Sequence, residues 1–161
     1  MRKRYLGAAV LAGGMLVTGV MAGVAGAGSS GDGTRARTLV VIEHPDTDAI
    51  VHLNADGKDH VGDLLPFNNP VYNAANTTQV GDDQGNCVHV RVDPDNKTGA
   101  YECNWTTNLA GGSITVEGAF LDAGPSTLAV IGGTGRYKLA RGSMDLAATS
   151  DGNYTFTFHL R

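Results

Sequence analysis

One acidic residue stands at the end of an apolar stretch. Glu43 follows Leu39-Val40-Val41-Ile42, a run that is typical of a β-strand. Because side chains alternate along a strand, Glu43 shares a face with Leu39 and Val41. If that face is buried, desolvation would raise the carboxyl pKa, and Glu43 could serve as a general base or as an anion facing developing positive charge. If the strand ends at a rim, Glu43 is an ordinary solvated carboxylate.

Two cysteines flank a turn-rich segment. Cys87 and Cys103 lie on either side of residues 93–99. If this segment closes a hairpin, the two cysteines stand directly opposite each other, and a cross-strand disulfide is geometrically possible. It would close a loop of about 15 residues and stabilise the fold by roughly 3 kcal/mol. The alternative is a free, reactive thiol. We favour the disulfide if the chain is exported, because exported proteins meet an oxidising environment.

Other patterns of reactive residues are weak. The five histidines, His44, His52, His60, His89 and His159, lack the spacing of a metal site, so we expect no metal. Residues 132–136, Gly-Gly-Thr-Gly-Arg, lack the Gly-Lys-Ser/Thr ending of a phosphate-binding loop and predict a tight β-turn. No order of Ser, His and Asp indicates a nucleophilic triad.

The segment 85–92 has two possible orientations. Alternation separates its side chains into two faces, Val88, Val90 and Val92 on one and Cys87, His89 and Arg91 on the other. In one interpretation the valines are core and the histidine and arginine are solvated. In the other the valines lie outside, where an apolar stripe needs a protein partner. Periodicity alone does not choose between them.

The elements that carry these residues are strands. Short runs of β-branched and aromatic residues alternate with Gly, Asn, Asp and Pro, and no helical apolar period is sustained. We predict eight strands, at about 38–44, 61–67, 77–81 extending to 85–92, 100–108, 112–121, 126–131, 140–148 and 153–160. Consecutive strands with short turns favour an all-β, eight-stranded antiparallel up-and-down barrel, which leaves no sheet edge exposed. A β-sandwich is the alternative.

The N-terminal segment predicts export. Arg2, Lys3 and Arg4 precede an uncharged run over 6–24, and Ala25-Gly26-Ala27 is a small-x-small cleavage site. We therefore predict a signal peptide at 1–27, a flexible linker at 28–37 and one barrel domain at 38–161, in a secreted protein. An uncleaved membrane anchor is the alternative.

The charge balance excludes one class of partner. The chain has 12 Lys and Arg against 16 Asp and Glu, and three of the 12 belong to the N-terminal basic segment. The remaining chain is acidic and has no cluster of basic residues. This argues against nucleic acids and anionic membrane surfaces as partners.

An ordered series of motifs resembles a known family. The first stretch is 62–69, Gly-Asp-Leu-Leu-Pro-Phe-Asn-Asn, followed by Val80-Gly81 and Gly85-Asn86-Cys87. The second is 113–121, followed by 128–135 and Ala140-Arg141-Gly142. Together, over about residues 38–160, they resemble the allene oxide cyclases and, more loosely, the plant dirigent proteins. The resemblance implies an eight-stranded barrel, a trimer, an apolar cavity for a hydrophobic small molecule, and no cofactor.

The resemblance also implies roles for residues. Glu43 matches a glutamate proposed to stabilise a delocalised cation, Asn69 an asparagine that helps hold a water on the epoxide oxygen, and Cys87 a cysteine near the reacting double bonds. The face with Cys87, His89 and Arg91 would point inwards and the valines would form a subunit contact. The implied aromatic residues of the interior are Tyr101, Trp105, Phe120, Phe156 and Phe158. An enclosed arginine would need a partner, for which Glu43 is one candidate, and Glu43 would then have a structural role.

Three departures leave the reaction open. The cyclase asparagine two residues after the glutamate is Pro45 here, the cavity tyrosine is Phe120, and Cys103 has no counterpart in the plant cyclases. Three functions follow as alternatives. The protein is a cyclase, an isomerase or a dirigent-like steering protein, or a binding barrel without chemistry, or a structural module whose interior is filled.

Overall fold

The computed structural model describes residues 36–94 and 98–161, which form one closed antiparallel β-barrel. Its strands are β1 (Arg37–Glu43), β2 (Leu64–Asn73), β3 (Gln79–Val92), β4 (Gly99–Leu109), β5 (Gly112–Leu121), β6 (Ser126–Gly133), β7 (Gly142–Ala148) and β8 (Tyr154–Leu160). A single 3-10 turn, Gly135–Tyr137, precedes β7. Each strand pairs with its neighbours in the chain, and β8 pairs with β1 from Arg37–Leu160 to Glu43–Tyr154. The predicted barrel is confirmed.

The predicted signal peptide and most of the predicted linker lie outside the described residues, so both stay predictions. Among the residues that the structure describes, no helix is long and apolar enough to cross a bilayer.

Strand β2 differs most from its predicted bounds, 61–67. It begins at Leu64 and continues through Pro66 and Pro70 to Asn73. β1 pairs only with residues 71–73 of β2, so the earlier part of β2 has β3 as its only partner strand, apart from the bridge between Leu64 and Val51. An edge-like stretch of this kind tolerates prolines, which is why the strand extends beyond the break that they suggest.

The core of the barrel is formed by inward-facing side chains of the strands. Val41, Ile114, Val116, Leu128, Met144, Phe156 and Phe158 are buried there with the two cysteines. Phe156 and Phe158, which the resemblance places in the interior, are therefore buried as expected. Burial of such side chains, worth about 25 cal/mol per Å² of apolar surface, supplies the main driving force for this fold.

Strand β3 settles the ambiguous faces, with one correction. Cys87 and His89 are buried and Val90 is 50% exposed, so the part of the valine face with Val88 and Val90 is outside, as the resemblance implies. The register shifts between His89 and Arg91, where Val90 is the extra residue of a β-bulge. The bulge turns the Arg91 side chain outwards, where it is 58% exposed and bonded to Asp93 at 2.9 Å. The prediction of an enclosed Arg91 paired with Glu43 was wrong.

The disulfide prediction is confirmed. Cys87 and Cys103 are directly paired in the β3–β4 register, with an S–S distance of 2.03 Å. The bond links neighbouring strands in the barrel wall, so neither sulfur is a free thiol.

Candidate functional site

The connections after the odd-numbered strands all lie at one end of the antiparallel barrel. A cavity of about 330 Å³ lies at this end. Two of these connections contribute to its wall, Asp48 and Ile50 after β1 and Asp122 after β5. The strands supply the rest of the lining: Glu43, Leu65, Phe67, Cys87, Tyr101, Cys103, Trp105, Phe120, Leu146, Tyr154 and Phe156.

Six of the fourteen residues that line the cavity are aromatic. Trp105 packs against Phe67 at 5.9 Å and Phe156 at 5.5 Å between ring centroids. Phe120 contacts Tyr101 at 5.9 Å and Tyr154 at 6.0 Å. These separations are in the range in which aromatic pairs attract each other. The wall therefore holds its shape and presents flat π-faces.

Gly85 allows β3 to approach β4 closely beside Trp105. It pairs with Trp105 across β3 and β4, and a Cβ atom at this position would lie 2.4 Å from Trp105 Cβ. No side chain can occupy that space without displacing β4.

Glu43 is held in place by an amide. Its side chain is only 5% exposed, and its Oε1 accepts a 2.6 Å hydrogen bond from Asn69 Nδ2. The same nitrogen donates to Asp48 Oδ1 at 2.7 Å. Asn69 Oδ1 accepts bonds from the Thr47 amide and hydroxyl, both at 2.9 Å. One asparagine thus fixes Glu43 and fastens the segment after β1 across the cavity.

Burial raises the pKa of Glu43 to about 7. The Asn69 bond lowers it, while the negative charges of Asp48 and Asp46 raise it further. Near neutral pH both the protonated and the ionised forms are therefore populated. A carboxyl group of this kind can accept a proton or face a positive charge.

A second buried carboxyl group lies behind Glu43. Asp83 is fully buried. In the strand register it stands opposite Asn69 on β2 and Thr107 on β4. Neither carboxyl oxygen of Asp83, nor the hydroxyl of Thr107, has a hydrogen-bond partner among the described residues. Burial, followed by the charges of Glu43 and Asp48, raises the pKa of Asp83 to about 9. Asp83 is therefore neutral at physiological pH.

Most of the site residues suggested by the sequence come together here. Glu43, Cys87, Tyr101, Trp105, Phe120 and Phe156 line the cavity, and Asn69 supports Glu43. His89 is buried but does not line the cavity. Its ring stacks on that of Tyr101, with 4.1 Å between the ring centroids. Arg91 is outside, as described above.

Several residues of the site were missed from the sequence. Asp83 shares the parity of Cys87 and His89 on one strand, and a continuous β3 would have revealed it. The prediction instead broke the strand at residues 82–84. Asp48 and Asp122 lie in connections, where alternation gives no signal. Tyr154, on β8, also lines the cavity and was not among the residues suggested for the site.

One group of side chains has the spacing of a metal site. His52, Asp59 and Asp63 bring one donor atom each within 4.8 Å of one another. Asp63 already accepts bonds from the amides of Leu53 and His60, at 2.8 and 2.9 Å, and contacts His52 Nδ1 at 3.0 Å. These bonds fold the segment before β2, so a structural role explains the group.

The two buried carboxyl groups predict a stability that falls as pH rises. Their pKa values are raised from 4.5 to about 7 for Glu43 and from 3.8 to about 9 for Asp83. At a pH above the pKa values that these groups have in the unfolded chain, the native state keeps protons that the unfolded chain loses. Raising the pH therefore favours unfolding. We expect Asp83→Asn to flatten this decline and to add a few kcal/mol, on the order of 3, at about pH 8.

Urea unfolding of both proteins between about pH 5 and 8 checks this expectation. Asp145→Asn is the matched control, because Asp145 is exposed on β7 and its pKa is lowered by bonds from Thr127 and His159. An unchanged slope in Asp83→Asn would contradict the burial of an uncompensated carboxyl group.

Comparison with known proteins agrees with this architecture. The family model of allene oxide cyclase matches residues 34–161. A pyocyanin demethylase is 29% identical, with a TM-score of 0.63 over 74% of this chain and 98% of that one. A pterocarpan synthase dirigent protein (15% identity, TM-score 0.60, 79% and 94% coverage) and AbnU, an exo-specific intermolecular Diels-Alderase (14%, 0.56, 78% and 97%), share the fold. The chain belongs to the allene oxide cyclase family.

Proposed function

We propose that the barrel binds a hydrophobic small molecule in the cavity and steers its ring closure or its coupling to a second molecule. The observation that carries the proposal is a buried carboxyl group, Glu43, oriented by Asn69 in the wall of an aromatic cavity of about 330 Å³. A cavity of this size is at the lower end of ligand sites, which run from about 300 Å³.

Confinement in the cavity is the first way in which the barrel would steer the reaction. Aromatic walls that hold a flexible, unsaturated molecule in one conformation remove the entropy cost of reaching the reactive geometry. The same walls expose one face of the molecule and cover the other, so the product forms with one handedness.

Stabilisation of positive charge by Glu43 is the second way. Asn69 occupies its Oε1, and its other oxygen is left for the ligand. In the ionised form the carboxylate stabilises positive charge that develops as the ring closes, and it is pre-oriented, so no reorganisation is needed. In this proposal no cofactor takes part.

The comparisons support a steering function rather than a particular reaction. Proteins with this fold include one named a pterocarpan synthase dirigent protein, one named an intermolecular Diels-Alderase and one named a pyocyanin demethylase. All three names describe chemistry on small organic molecules.

A binding barrel without chemistry is the second candidate. It is favoured by the disulfide, which removes the free thiol of Cys87, and by Pro45 and Phe120 in place of two polar cyclase residues. A filled structural module is disfavoured by the cavity itself.

Glu43→Gln separates the two candidates. We expect the variant to lose product handedness and at least tenfold in rate, since about 1.4 kcal/mol of charge stabilisation corresponds to a factor of ten. Its stability should be unchanged or higher, because Glu43 has no basic partner among the described residues to leave unpaired.

The assay incubates the protein with polyunsaturated epoxides or phenoxy radicals and measures product chirality. Glu117→Gln, on the outer face of β5, is the matched control. Racemic product from the wild type, with retained binding of a neutral aromatic probe, would support the binding barrel instead.

We also propose that the protein is a trimer that uses the valine face of β3. An apolar surface surrounds Val90: Val51 and Leu64 are exposed and bridged to each other, and Leu64 pairs with Val88. A surface of this kind is unfavourable in a monomer.

Val90→Glu should dissociate the trimer, because an unpaired charge would be buried in the contact. Sedimentation velocity at micromolar concentration measures the change, with Ala147→Glu on β7 as an outer-face control. A monomeric wild type would disprove the trimer.

Finally, we propose that the chain is exported after cleavage behind Ala27. The small-x-small site and the oxidised cysteine pair support this. The intact mass of the protein recovered from the medium should equal that of residues 28–161 less two hydrogens. A full-length chain retained in the membrane fraction would indicate the anchor instead.

A further inference from the structure

The charge of the cavity wall is of one sign. Three of its side chains are carboxyl groups, Glu43, Asp48 and Asp122, and none of the lining residues is Lys, Arg or His. The three come from separate segments: the end of β1, the connection after β1 and the connection after β5. Acidic side chains on such different segments converge on one space.

The basic residues of the described chain lie elsewhere. Arg91 is bonded to Asp93 on the outside. Arg37, Arg136 and Arg161 line a second depression of about 260 Å³, which lies where β1 begins and β8 ends, at the opposite end of the barrel. The second depression is therefore lined by basic side chains and the cavity by acidic ones.

The negative charges of the three carboxyl groups all act on one side chain in the cavity wall, Tyr154. The pKa of Tyr154 is raised by burial and then by the charges of Glu43, Asp48 and Asp122. A low-dielectric wall concentrates such a field within a cleft, where it attracts cations and repels anions.

The aromatic rings favour the same charge. A cation over the face of Trp, Tyr or Phe is attracted by the ring quadrupole, and the attraction grows when water is excluded. Six of the lining residues are aromatic: Phe67, Tyr101, Trp105, Phe120, Tyr154 and Phe156. Flat ligands make the largest contact with such faces.

We propose that the cavity selects flat aromatic cations over neutral and anionic molecules of the same size. The inference rests on the proposed function only in requiring that the cavity takes a small ligand. It names the preferred ligands of the cavity as heteroaromatic molecules with a delocalised positive charge, and it disfavours ligands that place a carboxylate in the cavity.

The selection should depend on pH. The groups that face Glu43 are Asn69 from β2, Asp83 from β3, Tyr154 from β8, and Asp46 and Asp48 from the segment after β1. Glu43 itself has a pKa of about 7. A cation therefore binds more tightly as Glu43 ionises, whereas the binding of a neutral ligand gains nothing from this ionisation.

Three probes of one shape test the proposal: N-methylacridinium, neutral N-methylacridone and anthracene-9-carboxylate. Trp105 is the only tryptophan of the chain and lines the cavity, so quenching of its fluorescence reports binding at this site. We expect the cation to bind about tenfold more tightly than the neutral probe at about pH 8, and the anion more weakly than either.

Asp122→Asn isolates the charge. The variant should reduce cation affinity about threefold to tenfold and leave the affinity for N-methylacridone unchanged. Asp145→Asn, on the outer face of β7, should change neither. The preference for the cation should also fall as the pH is lowered from about 8 to about 6, across the pKa of Glu43.

Each outcome has a distinct meaning. Equal affinity for the cation and the neutral probe, or tight binding of the anion, overturns the cation selection and leaves the proposed function standing. Failure of all three probes to quench Trp105 contradicts the cation selection. Failure of neutral substrates to react, while N-methylacridinium binds, contradicts the proposed function alone.

Discussion

The site depends on the hydrogen bonds made by the side chain of Asn69. Its nitrogen donates to Glu43 and Asp48, and its oxygen accepts from Thr47, so one residue links β1, β2 and the segment between them. Glu43 and Asp48 would repel each other without a donor between them. Because the amide is buried, each of these bonds is stronger than it would be in water, and its loss would leave unpaired groups that cost about 1–3 kcal/mol each.

A closed barrel can carry such a group because its wall satisfies nearly all of its own backbone polar groups. Pairing of β8 with β1 closes the sheet, with only the first part of β2 lacking a second partner strand, and the interior can then be used for side chains that are not optimal for stability. Glu43 and Asp83 are of this kind, since burial penalises their charged forms. Desolvation, which opposes folding, is also what places the Glu43 pKa in a range useful for chemistry.

Alternation explains why so much of the architecture could be predicted. The period of two defines inward faces in β5 and β8, and the hairpin register places Cys87 opposite Cys103. The same rule failed at Arg91, because a bulge adds one residue and no local sequence signal marks it. It also could not place Asp48 and Asp122, whose positions depend on how connections fold over the barrel end. Repeating patterns were thus predictable, and features that depend on tertiary contacts were not.

Closure of the barrel has a consequence for the order in which the protein can fold. Residues 87 and 103 are separated by 16 positions, so the hairpin of β3 and β4 is a local contact that can form and oxidise early. The β1–β8 pairing joins Arg37 to Leu160 and needs almost the whole chain. During synthesis the first strand must therefore remain unpaired on one side until the last residues emerge. The cavity and its acidic wall are complete only at that final step, which makes early release of a partly folded, aggregation-prone chain the main hazard of this topology.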